Sequence, residues 1–365
     1  MLKLRSPVTG LLFDYDFSEV HMRIPPFLKE KGTIGFIAPS FGCTTSPYAE
    51  RFDNAINTFR SMGYSTYEGP NCRVALGTGI SNAPEKCAEE LNNAMCDNIS
   101  DIIISCGGGE LMCTAVPYMD FERIKSAPPK WYLGYSDNTN YIFFSTTVCD
   151  TAAIYGECAA SFGQETWHQS LSDTFALLTG QKTSFSNYTY FEAEKTDITV
   201  NPLTSYVLNG KTDITCASGN TVISGRLIGG CLDCLELIAG TEFDHFNEFA
   251  EKYRDEGIIL FFDSCEFNTM GVVRSLWKLK HSGWFSHNIK GVLVGRPMLM
   301  DNADFGITMT DAFNMVLESL RVPVIFGMDI GHVPPQMPTV SGAYATVTYK
   351  EGRVTVDYDF LRDRE

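Results

Sequence analysis

A hydroxyl, an imidazole and a carboxylate that meet can open an amide, and this sequence offers each of them where a buried strand is read to end. Ser136 stands in Gly134-Tyr135-Ser136-Asp137, at the abrupt join between the apolar run Trp131-Tyr132-Leu133 and the next helical stretch. A serine at such a join presents its Oγ, and the amide of Asp137, first in the helix, faces any oxyanion formed on an attacked carbonyl. The second glycine of Gly-x-Ser-x-Gly is missing, and the plainer reading is a serine that caps the helix. Gly107-Gly108-Gly109 follows the strand Asp101 to Cys106. Such glycines let backbone pass close to a ligand and turn amides toward it. Gly108 or Gly109 therefore offers the second half of an oxyanion hole, although a tight turn explains them equally well. The dinucleotide pattern Gly-x-Gly-x-x-Gly is not met, since Met112 stands three after Gly109, and Gly225 to Gly230 is not followed by the Gly-Lys-Ser/Thr of a P-loop.

The base is sought among six histidines. His332 lies in Asp329-Ile330-Gly331-His332-Val333-Pro334-Pro335, a Gly/Pro-rich loop after a strand, where an imidazole is presented on a rigid support. His21 falls in the N-terminal arm, His168 in a weakly patterned stretch, and His245, His281 and His287 in polar surroundings; these read as surface or structural residues. The acid is the least defined member. Asp263 is the first polar side chain beyond the apolar run that ends at Phe262, placed to orient an imidazole Nδ1–H. Glu266, three residues on, reaches the same place if the loop curls back. Each is otherwise an ordinary strand-end carboxylate. Cys231 and Cys234 form a Cys-x-x-Cys, but no second such pair and no His-x-x-x-His matches it, so they read as core cysteines, with a redox role as the lesser alternative. No metal or cofactor is expected.

These groups need elements to position them. Thr33 to Ala38, Tyr64 to Glu68, Asp101 to Cys106 and Trp131 to Tyr135 read as strands. Tyr48 to Met62, Pro84 to Cys96 and Asn138 to Val148 read as helices, the second capped by Ser81-Asn82. The alternation predicts an α/β fold, a parallel sheet with helices on both faces, whose ligands sit beyond the carboxyl ends of the strands. Residues 161–220, rich in Thr, Ser, Asn and Tyr, read as a crossover carrying a mobile loop or hairpin. Its Trp167, Phe185, Tyr188 and Tyr190 offer an aromatic wall for a nucleobase or peptide, or, more plainly, packing for the crossover. From Val222 a second unit follows, with a helix over Leu227 to Ala239 and a strand over Gly257 to Phe262. Next come a helix over Val272 to Lys280, a strand over Gly291 to Gly295, a helix over Asp311 to Leu320 and a strand over Val324 to Met328. A hairpin closes the chain, Ala343 to Tyr349 and Arg353 to Tyr358 turning at Glu351-Gly352. The expected division is an arm over 1–30, an α/β domain with the serine over 31–160, a crossover over 161–221 and a domain with acid and base over 222–365.

Composition bounds the rest. In 365 residues, 44% hydrophobic and 20% charged, there is chain enough for a large core with no disulfide or metal staple. A net charge of −16 argues against a basic stripe for nucleic acid and against docking on anionic lipid. Twelve cysteines are scattered through apolar segments, Leu11-Leu12-Phe13 is broken at once by Asp14 and Asp16, and no run approaches the ~18 apolar residues of a membrane span. The cysteines therefore read as reduced and mostly buried in a cytoplasmic protein.

In their order and spacing these segments resemble the LD-carboxypeptidase family of serine peptidases, most nearly its branch of microcin C self-immunity peptidases. The resemblance runs from Ile24 to Tyr349 and is carried by Gly32–Ser40, Ser105–Gly109, Leu133–Asn138, Ser224–Leu232, Ile258–Glu266, Arg274-Ser275-Leu276, Gly291–Pro297 and Asp329–Pro335. It implies an N-terminal flavodoxin- or Rossmann-like parallel-sheet domain, a C-terminal swivelling β/α domain, a triad between them, no cofactor, and a homodimer. Ser136 matches the nucleophile of the family's Gly-(Tyr/Phe)-Ser-Asp, His332 the base of its Gly-His, and the amides of Asp137 and Gly108 or Gly109 its oxyanion hole. The family's acid is usually glutamate. Counting back from Arg274, that position is Asp263, one methylene shorter, so either the backbone sits closer or Glu266 takes over. Cys231 stands where the family commonly has asparagine after Gly-Gly. The implied reaction is hydrolysis of an amide, in a murein peptide at an L-to-D bond near its carboxyl end or in an aminoacyl-nucleotide antibiotic. Two other readings remain beside it. One is a decayed pseudo-enzyme that binds a peptide or nucleotide conjugate. The other, a nucleotide-dependent oxidoreductase, rests on sheet topology and lacks the glycine fingerprint.

Overall fold

The computed structural model describes residues 21–77, 79–299 and 304–363 in full and the backbone of 2–5 and 12–15. Leu2–Arg5 (β1) and Leu12–Tyr15 (β2) pair as an antiparallel hairpin where the sequence reads as irregular; four residues per strand are too few for their alternation to stand out. From residue 33 the strands Thr33–Ile37 (β3), Ser65–Glu68 (β4), Ile102–Ser105 (β5), Trp131–Gly134 (β6) and Ala153–Tyr155 (β7) alternate with helices. Those helices are Tyr48–Ser61 (α1), Pro84–Cys96 (α2), Phe121–Ser126 (α3) and Thr139–Thr147 (α4). The strands lie in the order β7-β6-β5-β3-β4, all parallel. Ile102-Ile103-Ile104 explains the centre of this sheet: β-branched side chains suit a strand covered on both faces, and all three are buried. α1 turns Phe52, Ala55, Ile56 and Phe59 inward. α2 starts at Pro84 behind Ala83, and the expected caps work elsewhere. Ser81 Oγ donates to the Ala38 carbonyl, and Asn82 Oδ1 accepts the Ala83 amide. Proline in the first turn has no N–H to satisfy.

Residues 161–220 hold more structure than expected. Gln169–Leu178 is a helix (α5), with the ring of His168 accepting the Ser170 amide at its start. Interspersed Ser and Thr hide its apolar face, Leu171, Phe175 and Leu178, from the sequence. Ser184–Ser186 (β8) joins the second sheet, Tyr190–Phe191 (β9) pairs with Gly210–Lys211 (β10), and Thr215–Cys216 (β11) follows. Of the four aromatic candidates, three serve packing. Trp167 meets Phe59, Phe162 and Phe175, Phe185 is buried against Tyr358, and the buried Tyr188 donates to Asp173; Tyr190 is exposed.

The helix read from Leu227 is corrected. Thr221–Cys231 is one strand (β12), and the helix (α6) spans only Leu232–Ile238. An apolar run in a buried parallel strand has the composition of a buried helix, and register decides: Leu227 to Cys231 pair with Ile259 to Asp263. Phe246–Lys252 (α7), Ile258–Asp263 (β13), Thr269–His281 (α8), Ile289–Gly295 (β14), Met309–Leu317 (α9) and Val324–Met328 (β15) complete a second set of alternating elements. Thr339–Ser341 (β16), Tyr344–Lys350 (β17) and Arg353–Tyr358 (β18) close the chain. The second sheet runs β11-β15-β14-β13-β12-β17-β18-β8, its inner four strands parallel and its flanks antiparallel. β16 pairs antiparallel with β7, so the chain returns to the first sheet. Among the described residues no helix is long and apolar enough to cross a membrane.

The sheets meet carboxyl rim to carboxyl rim. Thr139, at the start of α4, accepts the Cys231 amide at 2.9 Å, and a Cβ on Gly230 would lie 2.6 Å from its methyl, so this approach requires glycine. Nearby, Trp284 stacks between Phe143 of α4 and Phe246 of α7 at centroid distances of 5.6 and 4.2 Å and donates to Asp244. Trp284 is fully buried. Trp284→Ala is expected to cost about 3–5 kcal/mol of stability, measured by denaturant unfolding, whereas a surface change such as Trp277→Ala should stay near wild type.

Candidate active site

Ser136 leaves β6 with φ +62°, a left-handed conformation that non-glycine residues adopt rarely. Its two successors hold it there. The buried Asp137 carboxylate accepts from the Ser40 hydroxyl, from the Met112 amide at 2.8 Å and from Asn140 Nδ2 at 3.0 Å. Burial pushes this carboxyl above its usual range, and those donors act against the rise. Asn138 Nδ2 donates to the carbonyls of Gly107 and Tyr135, each at 2.9 Å, while its Oδ1 accepts from the Tyr132 hydroxyl. The loops after β3, β5 and β6 are thus tied together beneath the serine. A Cβ on Gly108 would sit 3.2 Å from Ser136 Oγ, which places the glycine backbone against the hydroxyl. The amides of Gly108, Gly109 and Asp137 donate to no acceptor among the described residues.

The second sheet supplies the other groups. Asp263 is the last residue of β13, and His332 follows β15. His332 Nδ1 lies 2.8 Å from Asp263 Oδ2 and 3.1 Å from Oδ1, and its Nε2 lies 2.8 Å from Ser136 Oγ. The Asp263 carboxylate can only accept, so Nδ1 facing it carries a proton, and in the neutral imidazole Nε2 is then the nitrogen that accepts from Ser136. The shorter acid reaches because backbone comes to it. Gly331 has φ +95°, and a Cβ there would lie 1.8 Å from Asp263 Oδ2. The His332 loop is fixed by Arg296, which pairs with Asp329 and donates to the carbonyls of Val333 and Pro335 at 3.0 Å. Glu266 stands apart: it is exposed, its amide donates to Asp233, and it lines a separate depression of about 500 Å³ with Glu236, Asn268 and Arg274.

Tyr155 is a site residue that the sequence reading passes over. Its hydroxyl donates to Asp263 Oδ2 at 3.1 Å and accepts the Ser136 amide at 3.2 Å, bridging the two sheets. The available signal was its place at the end of β7, abreast of Gly134. In front of Ser136 a cavity of about 270 Å³ is bounded by Phe41, Tyr48, Tyr135, Ser161 and the glycine loop. The Tyr135 ring meets His332 edge-on at 5.2 Å. The surrounding field is negative. Burial raises the Glu110 carboxyl, and Glu266, Asp137 and Asp233 raise it further.

Comparison with known proteins agrees with this architecture. Residues 34–156 match the LD-carboxypeptidase N-terminal domain and residues 224–347 the LD-carboxypeptidase C-terminal domain. The chain belongs to the LD-carboxypeptidase family. It is 27% identical over 328 residues to a protein of Vibrio cholerae named as a carboxypeptidase, covering 87% of this chain and 92% of that one. It is 25% identical over 340 residues to the microcin C7 self-immunity protein MccF of Escherichia coli, covering 90% and 94%. The solved structure of MccF in complex with aspartyl sulfamoyl adenosine superposes with a TM-score of 0.77 at 21% identity, over 92% of this chain and 98% of that chain, and shows the same fold.

The Asp263–His332 contact sets the electrostatics of the site. Burial acts to lower the His332 pKa, but the charge and hydrogen bond of Asp263, helped by Cys265, carry it well above the ordinary histidine value. In proton-detected titrations His332 is expected to hold its second proton to higher pH than His168 or His287, both of which burial lowers. Asp263→Asn removes the charge and leaves burial dominant, so the His332 pKa should fall below the ordinary value. A titration unmoved by Asp263→Asn would show that the pairing is not what holds the proton.

Proposed function

We propose that this protein is a serine-type amidase or carboxypeptidase with Ser136 as nucleophile, His332 as general base and acid, and Asp263 as the partner of the imidazolium. The observation that carries this reading is the unbroken chain Ser136 Oγ to His332 Nε2 and His332 Nδ1 to Asp263, each link at 2.8 Å. As Ser136 attacks a substrate carbonyl, His332 takes its proton and the buried carboxylate stabilises the charge that forms. The amides of Asp137 and Gly108 or Gly109 receive the oxyanion. His332 then delivers the proton to the leaving amine, and water, deprotonated by the same imidazole, releases the acyl group. The φ of Ser136 supports this assignment over a mere cap, because a helix cap needs no left-handed backbone.

The substrate is an amide in a murein-type L,D-peptide or in an aminoacyl-nucleotide conjugate. The acidic surroundings of Glu110, Glu266 and Asp233 favour a substrate with a free amine near the scissile bond, a feature that either class carries. A decayed binder is the less economical reading, since such a protein has no need for the imidazole to meet both Ser136 and Asp263.

Incubation with a murein tetrapeptide and with an aminoacyl-sulfamoyl adenosine, followed by mass spectrometry of the products, tests the proposal. Ser136→Ala should lower kcat by ~10⁴-fold or more; hydrolysis that survives this change excludes the mechanism. The raised His332 pKa means that the free base accumulates only on the alkaline side, so kcat/KM should climb with pH through a pKa above the ordinary histidine range. Tyr155→Phe removes one hydrogen bond to the buried carboxylate and should lower kcat about tenfold, with KM little changed.

A further inference from the structure

We propose that Cys231, Asp263 and His332 form a site for a thiophilic divalent cation, with Zn²⁺ as the ion to test, and that the cation arrests hydrolysis by taking the imidazole. Only the arrest rests on the function proposed above; the site stands on its own geometry. One ligand atom from each of the three residues lies within 4.8 Å of the other two. Cys231 and Asp263 are register partners on adjacent parallel strands, β12 and β13, so both side chains leave the sheet on one face. Both are buried, and His332 meets them from the loop after β15. A tetrahedral zinc with bonds of about 2.0–2.3 Å has ligand atoms roughly 3.3–3.7 Å apart. Closing the cluster onto an ion therefore takes movements on the order of 1 Å, within reach of χ rotations.

The donor chemistry selects the ion. Sulfur, imidazole nitrogen and a single carboxylate oxygen suit zinc and disfavour calcium or magnesium, which take mostly oxygen. Cys265, which interacts with His332 and whose Sγ lies 3.6 Å from the sulfur of Met298, stands outside this cluster, so the fourth position is left to water. Thiolate and carboxylate together neutralise a dication in a buried setting, where an uncompensated charge is costly. The Cys-x-x-Cys is not the site. Cys234 points to the Ser136 carbonyl at 3.7 Å, and although Cys231 Sγ also lies 3.5 Å from Asp233 Oδ2, the other two members of its cluster, Asp263 and His332, come from other strand ends.

Proton balance follows. Binding replaces the thiol S–H by an S–Zn bond and releases one proton, with a second when His332 is protonated. Because the sulfur must bind as thiolate and the imidazole as free base, affinity must rise with pH. Either ring nitrogen serves as ligand, and either choice breaks one link of the Ser136–His332–Asp263 chain.

Chelator-treated full-length protein is titrated with ZnCl₂ by calorimetry and with CoCl₂ by absorption. One tight ion per chain is expected, with a thiolate-to-cobalt charge-transfer band in the near ultraviolet. Cys231→Asn and Cys231→Ala should each weaken zinc binding by about 100-fold or more and abolish the band. Zinc binding that ignores both substitutions overturns the site. Should both variants misfold, calorimetry of the wild-type protein in buffers of different ionisation enthalpy decides: release of one or more protons per ion supports the site, and none overturns it. With a cleaved substrate, stoichiometric Zn²⁺ should suppress the wild-type rate at least tenfold, chelator should restore it, and Cys231→Asn should not respond. Tight binding without rate loss overturns the arrest. Failure of the metal-free protein to cleave either substrate counts against the proposed function and leaves the binding result to judge the site.

Discussion

A charge that is completely buried must be compensated where it lies, and Asp263 is such a charge. Its two oxygens are met by His332 Nδ1 and by the Tyr155 hydroxyl and by no surface group. The first partner comes from the loop after β15 and the second from the other sheet, so satisfying one carboxylate fixes the relation of two sheets and a loop. Ser136 is drawn into the same network twice, through its hydroxyl to His332 and through its amide to Tyr155. The residues proposed to carry the chemistry are therefore also the polar joint between the two halves of the molecule. Around that joint the Phe143–Trp284–Phe246 stack and the close contact of Gly230 with Thr139 supply the apolar support.

The His332 loop needs its own foundation, because an imidazole is oriented only as well as its backbone. That foundation is a second buried pair. Arg296, just past β14, binds Asp329 and the carbonyls of Val333 and Pro335, and Asp329 also accepts the Tyr188 amide at 2.7 Å. Tyr188 belongs to the stretch with the weakest sequence pattern, which thereby braces the base. Three strand ends in a row, β13, β14 and β15, thus deliver an acid, a clamp and a base. A parallel sheet makes this possible because it gathers its carboxyl ends along one rim.

Much of this was legible in the sequence, and for a physical reason. Short apolar runs stopped by glycine and polar residues mark buried parallel strands, and the first polar residue after each run falls at the rim where ligands bind. Ser136 and Asp263 are of that kind, and His332 follows in the same rim loop three residues after Asp329, the first polar residue beyond β15. What escaped shows the limits of periodicity. Leu227 to Cys231 has no alternation because both faces of β12 are covered there, so helix and strand look alike until Ile259 to Asp263 supply a partner. α5 escaped because Ser170, Ser172 and Thr174 interrupt its apolar face. Tyr155 escaped because its importance lies in a hydroxyl aimed across the interface at Asp263, and no local pattern encodes a contact between residues so far apart in the chain.

The reach of an acid as short as aspartate is explained by backbone. A side chain shortened by one methylene leaves its carboxylate closer to its own strand, so the imidazole must come in. Gly331 permits this. Its positive φ turns the loop toward β13, and its missing side chain leaves space that Asp263 Oδ2 fills. Gly295, at the end of β14, adds to the crowding, since a Cβ there would lie 3.3 Å from Asp263 Cβ. The acid is therefore gripped by backbone on two sides, and the more exposed Glu266, whose loop is tied by its amide to Asp233, is directed away from it. Cys231 sits directly abreast of Asp263 on β12. With Cys231 there, the strand-end pair that faces His332 is a thiol and a carboxylate, a combination that changes which ions the site can hold while leaving the Ser136–His332–Asp263 contacts intact.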